Sequence, residues 1–261
     1  MQIKDYHAYT QSLVDLAQAD ERIEGLIMLG SSAGTHHQPD RWSDHDFWLV
    51  VKDGTEDDYH ADLSWIPQIE RKVLAFRETR HGWKILFDDG HVLEYAIFPL
   101  NELYMARFHH IKLLVDKTDI AERLDKMKAS QDEEHEPSDP LKHVQFLLSL
   151  LVIGMGRYHR GEQVSAMVFI KYYALEQLTT LIQALVPPQH PQLVDDLNPN
   201  RRIEQTHPYY AEQLQALITD SIPDAANRLL DIALTFADGM PDFPHGAIST
   251  VRDVIEYDAQ E

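Results

Sequence analysis

Two apolar, strand-favouring runs joined through a glycine-serine turn constrain this chain more than any other feature. Residues 22–29 read as a strand that ends in Gly30-Ser31-Ser32, and Ser43-Asp44-His45-Asp46-Phe47-Trp48-Leu49-Val50-Val51 follows as a second strand interrupted by two carboxylates. Side chains two apart on a strand share a face, so Asp44 and Asp46 are placed together while Phe47 and Leu49 point into the core. A strand ending in Gly-Ser lets main-chain N–H groups approach an anion that a larger residue would block, and Ser31 adds a hydroxyl donor. Paired carboxylates without cysteine suit a hard divalent cation such as Mg²⁺ better than zinc. A phosphate-cradling turn beside a two-carboxylate metal site points to metal-dependent nucleotidyl transfer.

Two-metal phosphoryl chemistry usually needs a further carboxylate near the attacking hydroxyl, and Glu94 is the candidate. Residues 83–98 alternate around Asp89-Gly90, a strong short-range hairpin signal that places Glu94 mid-strand. A carboxylate in an otherwise apolar strand is costly unless a cation or donor compensates it.

These residues carry a family resemblance. Gly30-Ser31 through Asp44-His45-Asp46, then Phe87-Asp88-Asp89-Gly90 leading to Glu94 and Pro99-Leu100-Asn101-Glu102-Leu103, resemble the core of antibiotic nucleotidyltransferases, and the N-terminal pattern is similar to aminoglycoside 6-adenylyltransferases. Tyr158-His159-Arg160-Gly161-Glu162 and the helix after it are more similar to lincosamide nucleotidyltransferases. The resemblance implies an α+β fold, a polymerase β-like mixed sheet with helices followed by an all-α helical bundle. It implies transfer of a nucleoside monophosphate, expected to be AMP from ATP, to a hydroxyl of a small molecule, an aminoglycoside or lincosamide, with release of pyrophosphate. In that scheme Gly30 and Ser31 hold the β and γ phosphates, and Asp44 and Asp46 ligate Mg²⁺. Glu94 stands where the 6-adenylyltransferase group is expected to carry Asp. It takes the proton of the attacking hydroxyl or joins the metal shell, and both roles stay open. A homodimer also stays open, because a second subunit sometimes contributes substrate contacts in such enzymes.

A formal charge of −20 disfavours a nucleic-acid partner, which would need Lys and Arg to neutralise phosphates, and suits a cationic small substrate. No apolar stretch approaches the roughly 20 residues of a membrane span, and Met1-Gln2-Ile3-Lys4-Asp5 begins no secretory signal, so the expected location is cytoplasmic. Zero cysteines exclude disulfides and thiol nucleophiles.

The expected domains are residues 1–135, catalytic, and 136–261, helical, divided by the charged, proline-bearing stretch 131–140. Helices are expected at 6–19, 62–71, 101–107 and 120–129, with a strand at 111–115. Beyond the divide, Leu141, Val144, Leu148, Leu151 and Met155 recur at helical spacing, as do Met167, Ile170, Ala174, Leu178, Leu181 and Leu185. Arg160-Gly161-Glu162 should link these two helices, Pro187-Pro188 should end the second, further helices are expected at 208–219 and 223–237, and residues after Asp253 should fray.

Other signals have simpler explanations. Gly30-Ser31-Ser32-Ala33-Gly34 matches the hydrolase nucleophile elbow formally, but Thr35-His36-His37-Gln38-Pro39-Asp40 is poor helix sequence. Neither His36-His37 nor His109-His110 has metal-ligand spacing, and His45, between the two acids, faces away from them. Arg201 or Arg202 is expected either to make salt bridges or to face the triphosphate across the cleft, and Glu162, Glu176 and Glu204 are candidate acceptor contacts. The alternative from a different class is a regulatory nucleotidyltransferase of toxin-antitoxin type acting on a protein, or a catalytically silent interaction protein.

Overall fold

The structure is a computed structural model that describes residues 3–34, 39–40, 42–108, 111–134, 139–195 and 198–257. The chain divides into two compact units, residues 1–136 and 137–261. Among the described residues no helix is long and apolar enough to cross a membrane.

The first unit is built on a six-stranded mixed sheet in the order β3-β4-β5-β2-β1-β6. Its strands are β1 (Ile23–Leu29), β2 (His45–Val51), β3 (Lys72–Arg77), β4 (Gly82–Phe87), β5 (Val92–Pro99) and β6 (Ile111–Asp116). Neighbours run antiparallel except β2 and β5, which are parallel with Asp46 opposite Glu94. Helices α1 (Ile3–Ala19), α2 (Glu56–Ala61) and α3 (Ile120–Glu134) complete it.

Alternation along the central strands explains how both faces are covered. Phe47, Leu49 and Val51 of β2 join Leu93, Tyr95 and Ile97 of β5 beneath Tyr9, Leu13 and Ala17 of α1. Trp48 and Val50 face the other way, packing with Phe98, Leu103, Ile120 and Leu124. The expected strand at 22–29, hairpin at Asp89-Gly90 and helix at 6–19 are all present. Gly90 has φ +82°, the left-handed geometry this turn requires, and Arg71 clamps the turn through Asp88 at 2.6 Å and Asp89 at 3.2 Å.

Three local expectations need correction. The helix expected at 62–71 lies earlier, at α2, where Glu56, Asp57 and Asp58 put acidic residues in the first turn. Residues 69–71 form only a short 3₁₀ turn before β3, a strand with no counterpart among the expected elements. Residues 100–105 are likewise 3₁₀, not α-helical. At the divide, α3 continues to Glu134, inside the stretch read as a linker, and residues 135–138 lie outside the described set.

The second unit is helical: α4 (Pro140–His159), α5 (Gln163–Val168), a π-helical segment Phe169–Ala174, α6 (Leu175–Leu185), α7 (Ile203–Thr206), α8 (Pro208–Gln215), α9 (Ile222–Leu234) and α10 (His245–Ile255). Asp139 caps α4, its carboxylate accepting from Leu141 N–H at 3.0 Å, and Pro140 occupies the first turn. Gly161, at φ +80°, turns the chain into α5. The π segment alters the buried stripe. Wider turns place Ala166, Ile170, Ala174 and Leu178 on one face at spacings of four, whereas Met167, expected in the core, is exposed. Leu185, the other end of the expected stripe, is also exposed. Helix α10 lies beyond the expected elements, and it holds the chain in regular structure through Ile255.

Candidate active site

Strand β1 ends at Leu29, the next residue, Gly30, has a left-handed φ of +50°, and residues Gly30–Ala33 make one 3₁₀ turn in which Ser31 follows the glycine. Among the described residues a Cβ built on Gly30 would meet nothing within 4 Å, so conformation, not crowding, favours glycine there. His36 and His37, with the rest of residues 35–38, and His109-His110 lie outside the described residues.

The two acids do not share a strand, contrary to the expectation from their spacing. Strand β2 starts at His45, and Asp44 precedes it because its carbonyl is already used: it accepts from Ser32 Oγ at 3.1 Å and lies 2.9 Å from Tyr6 Oη. Asp46 is the second residue of β2, with parity that sets it on the face of Trp48 and Val50. Glu94, on β5, has the same parity as Ala96 and Phe98 and lies opposite Asp46, with Lys84 of β4 opposite Glu94 in turn. A row Asp46–Glu94–Lys84 therefore crosses three strands at the end of the face that Trp48 and Phe98 fill further along.

Charge in this row is poorly neutralised. Burial, then the Glu94 and Asp44 carboxylates, push the Asp46 carboxyl up to about 7, and Lys84 offsets this in part. Lys84 Nζ lies 3.0 Å from Glu78 Oε1 and 3.5 Å from Glu94 Oε1, and these partners, Glu78 foremost, raise its ammonium pKa. Glu94 is thus half-exposed, at 44% of its side-chain surface, and paired with a lysine, not stranded among apolar residues as its sequence context implies. Nothing in the chain marks Lys84 in advance beyond the alternation of β4. Among the described residues no three His, Asp or Glu side chains converge closely enough to hold a metal ion unaided. The donor chemistry nonetheless fits a hard cation: every candidate ligand is a carboxylate, and the raised Asp46 is where added positive charge would be most favourable.

His45 faces away from the acids, as its position between them predicts. It is fully buried, stacks on Tyr6 at 3.7 Å between ring centroids, and bonds to Thr10 Oγ1 at 2.9 Å and His91 Nε2 at 2.7 Å. Burial, aided by His91, lowers its pKa to about 3; burial lowers that of His91 to about 4. Both rings are neutral scaffolding between α1, the acid segment and the hairpin turn.

A profile of the streptomycin adenylyltransferase family matches residues 3–182, which include this whole site and the helices α4 and α5. The chain belongs to that family. It is a nucleotidyltransferase, with the α+β nucleotidyltransferase fold and an antibiotic-modifying lineage. No curated protein matches the chain. Among solved structures, an aminoglycoside 6-adenyltransferase from Bacillus subtilis is similar, with 11% identity over 95% of this chain and 98% of that one and a TM-score of 0.35.

The remaining candidates sort simply. Ser32 is no hydrolase nucleophile, because its Oγ is engaged by Tyr6, Asp44 C=O and Asp46 N–H. Arg201 and Arg202 both pair with Asp195, at 3.1 and 2.8 Å, the salt-bridge alternative of the two expected. Glu162 is tied to Arg157 at 3.3 Å and Arg160 at 2.9 Å, while Glu176 and Glu204 lie in the first turns of α6 and α7 of the helical unit.

Proposed function

We propose that this enzyme transfers the adenylyl group of ATP to a hydroxyl of an aminoglycoside of the streptomycin class, releasing pyrophosphate. The observation that carries the reading is Asp46 opposite Glu94, with Asp44 two residues before, following a left-handed Gly30 turn, in a chain of this family. The first unit, residues 1–136, would be the catalytic domain.

In this reading the main chain of Gly30 and Ser31 binds the β and γ phosphates. Asp44, Asp46 and Glu94 would hold Mg²⁺, which when bound neutralises phosphate charge and orients the transferred group. Glu94 would either accept the acceptor hydroxyl proton at a carboxylate oxygen or join the metal shell, with the Lys84 ammonium 3.5 Å from that carboxylate on the β4 side. Most of the rate enhancement then comes from positioning and charge neutralisation. The net charge of −20 favours a polycationic acceptor by long-range attraction.

Pyrophosphate release from ATP, GTP, CTP and UTP with Mg²⁺, across aminoglycosides and lincosamides, tests the reading, with Asp46→Ala as the blank. ATP- and streptomycin-dependent release lost in the blank supports it. Release only with a lincosamide would replace the acceptor, and silence across the panel with nucleotide still bound would favour a protein acceptor.

A further inference from the structure

We propose that Tyr6 and Ser32 are positioning residues that lock the main chain of both catalytic acids to the phosphate-side turn. The proposal rests on the reading of Asp44 and Asp46 as catalytic. Ser32 Oγ accepts the Asp46 N–H at 3.0 Å and donates to the Asp44 carbonyl at 3.1 Å, so one hydroxyl bridges the residues on either side of His45. Tyr6 Oη lies 2.8 Å from Ser32 Oγ and 2.9 Å from the same Asp44 carbonyl, and its single proton serves these two acceptors.

These four contacts join three separate segments: α1, the Gly30–Ala33 turn and the start of β2. None of them is part of the sheet ladder, since each runs through a side-chain hydroxyl. The Tyr6 ring also stacks on His45, which holds the intervening residue from the α1 side. Movement of the turn is therefore transmitted to the main chain of Asp44 and Asp46, and the phosphate-binding and metal-binding halves of the site behave as one rigid body. Both act through the acids, whose main chain they hold.

The test compares Tyr6→Phe, which keeps the ring stacking and removes only the hydroxyl, with Ser32→Ala. Amide hydrogen exchange is read in the metal-free protein, alongside Mn²⁺ binding by electron paramagnetic resonance and steady-state kinetics with ATP. In Ser32→Ala the Asp46 amide loses its acceptor and should exchange at least about tenfold faster, with Leu49 and Val50 unchanged; in Tyr6→Phe that acceptor stays but is no longer held by the phenol, so the same amide should exchange faster by a smaller factor. Mn²⁺ binding should weaken, and kcat should fall about tenfold with the KM for ATP changed less than about threefold. A purely structural role would lower the melting temperature without moving the metal dependence. If Tyr6→Phe, folded as wild type, keeps its Asp46 exchange rate, metal affinity and kcat while Asp46→Ala is inactive, the positioning role is refuted and the site reading stands. If Asp46→Ala matches wild type in Mn²⁺ binding and transfer, the site reading itself fails. Should Ser32→Ala not fold, Tyr6→Phe decides alone.

Discussion

Replacing Asp46 by Asn should stabilise the metal-free protein at neutral pH, and the size of the effect follows from the crowding of three carboxylates. Asp46 is raised from 3.8 to about 7 by burial and by Glu94 and Asp44. A carboxyl whose folded-state pKa lies above its unfolded value contributes stability that is complete below the unfolded pKa and lost as pH rises through the folded one. Wild-type stability should therefore fall, relative to Asp46→Asn, as pH rises from about 4 to about 7. At about 1.4 kcal/mol for each pH unit crossed in that window, the variant should gain about 2–3 kcal/mol on wild type between pH 5 and pH 8. Urea unfolding followed by circular dichroism, in EDTA at each pH, reads this difference while cancelling other titrating groups. Adding Mg²⁺ with nucleotide at pH 8 should reverse the order, because ligand binding to the folded state stabilises wild type and not the variant. A gap that does not change with pH, or a variant less stable than wild type at pH 8 without metal, would refute the electrostatic argument.

Three other outcomes are expected. Ring NMR signals of His45 and His91 should stay in the neutral form above pH 5, since burial lowers both pKa values; acid destabilisation should therefore grow as pH falls below the unfolded value of about 6.5 toward about 4 and 3. Gly154→Ala should cost about 1–3 kcal/mol in urea midpoint analysis, because a Cβ there would sit 2.6 Å from Ile170 Cδ1 and 3.0 Å from Phe169 Cβ; a gain in stability would show that these side chains move aside freely. Deleting Tyr173, an exposed residue of the π segment, should leave a folded, regular helix with the Ala166 and Leu178 faces still in register, whereas loss of the cooperative melt would contradict the explanation of the buried stripe.

Much of the site is legible in the chain because its signals are local. A glycine with left-handed φ, two acids either side of His45, and an Asp-Gly hairpin leading to Glu94 are each written within a few residues. Their partners are not. Lys84 is paired with Glu94 only through the β4–β5 register, and Tyr6 reaches Ser32 across 26 positions of sequence. That pairing depends on how α1 lies against the sheet, which hydrophobic spacing specifies only as a buried face. Asp44 falls outside the expected strand for a related reason: side-chain hydroxyls, invisible to alternation, compete for its carbonyl. The π segment shifts the helical stripe by one residue, whereas periodicity assumes a constant turn. Strand β3 escapes a reading by alternation because it is an edge strand, exposed on both faces, with Val73, Leu74 and Phe76 open to solvent.

The most direct test of the central claim is intact-mass analysis of streptomycin after incubation with the protein, ATP and Mg²⁺, in parallel with Asp46→Asn. The expected result is streptomycin carrying one added AMP with wild type and unmodified drug with the variant. Unmodified drug with both proteins would contradict the assigned acceptor, and equal modification by both would contradict the role given to Asp46.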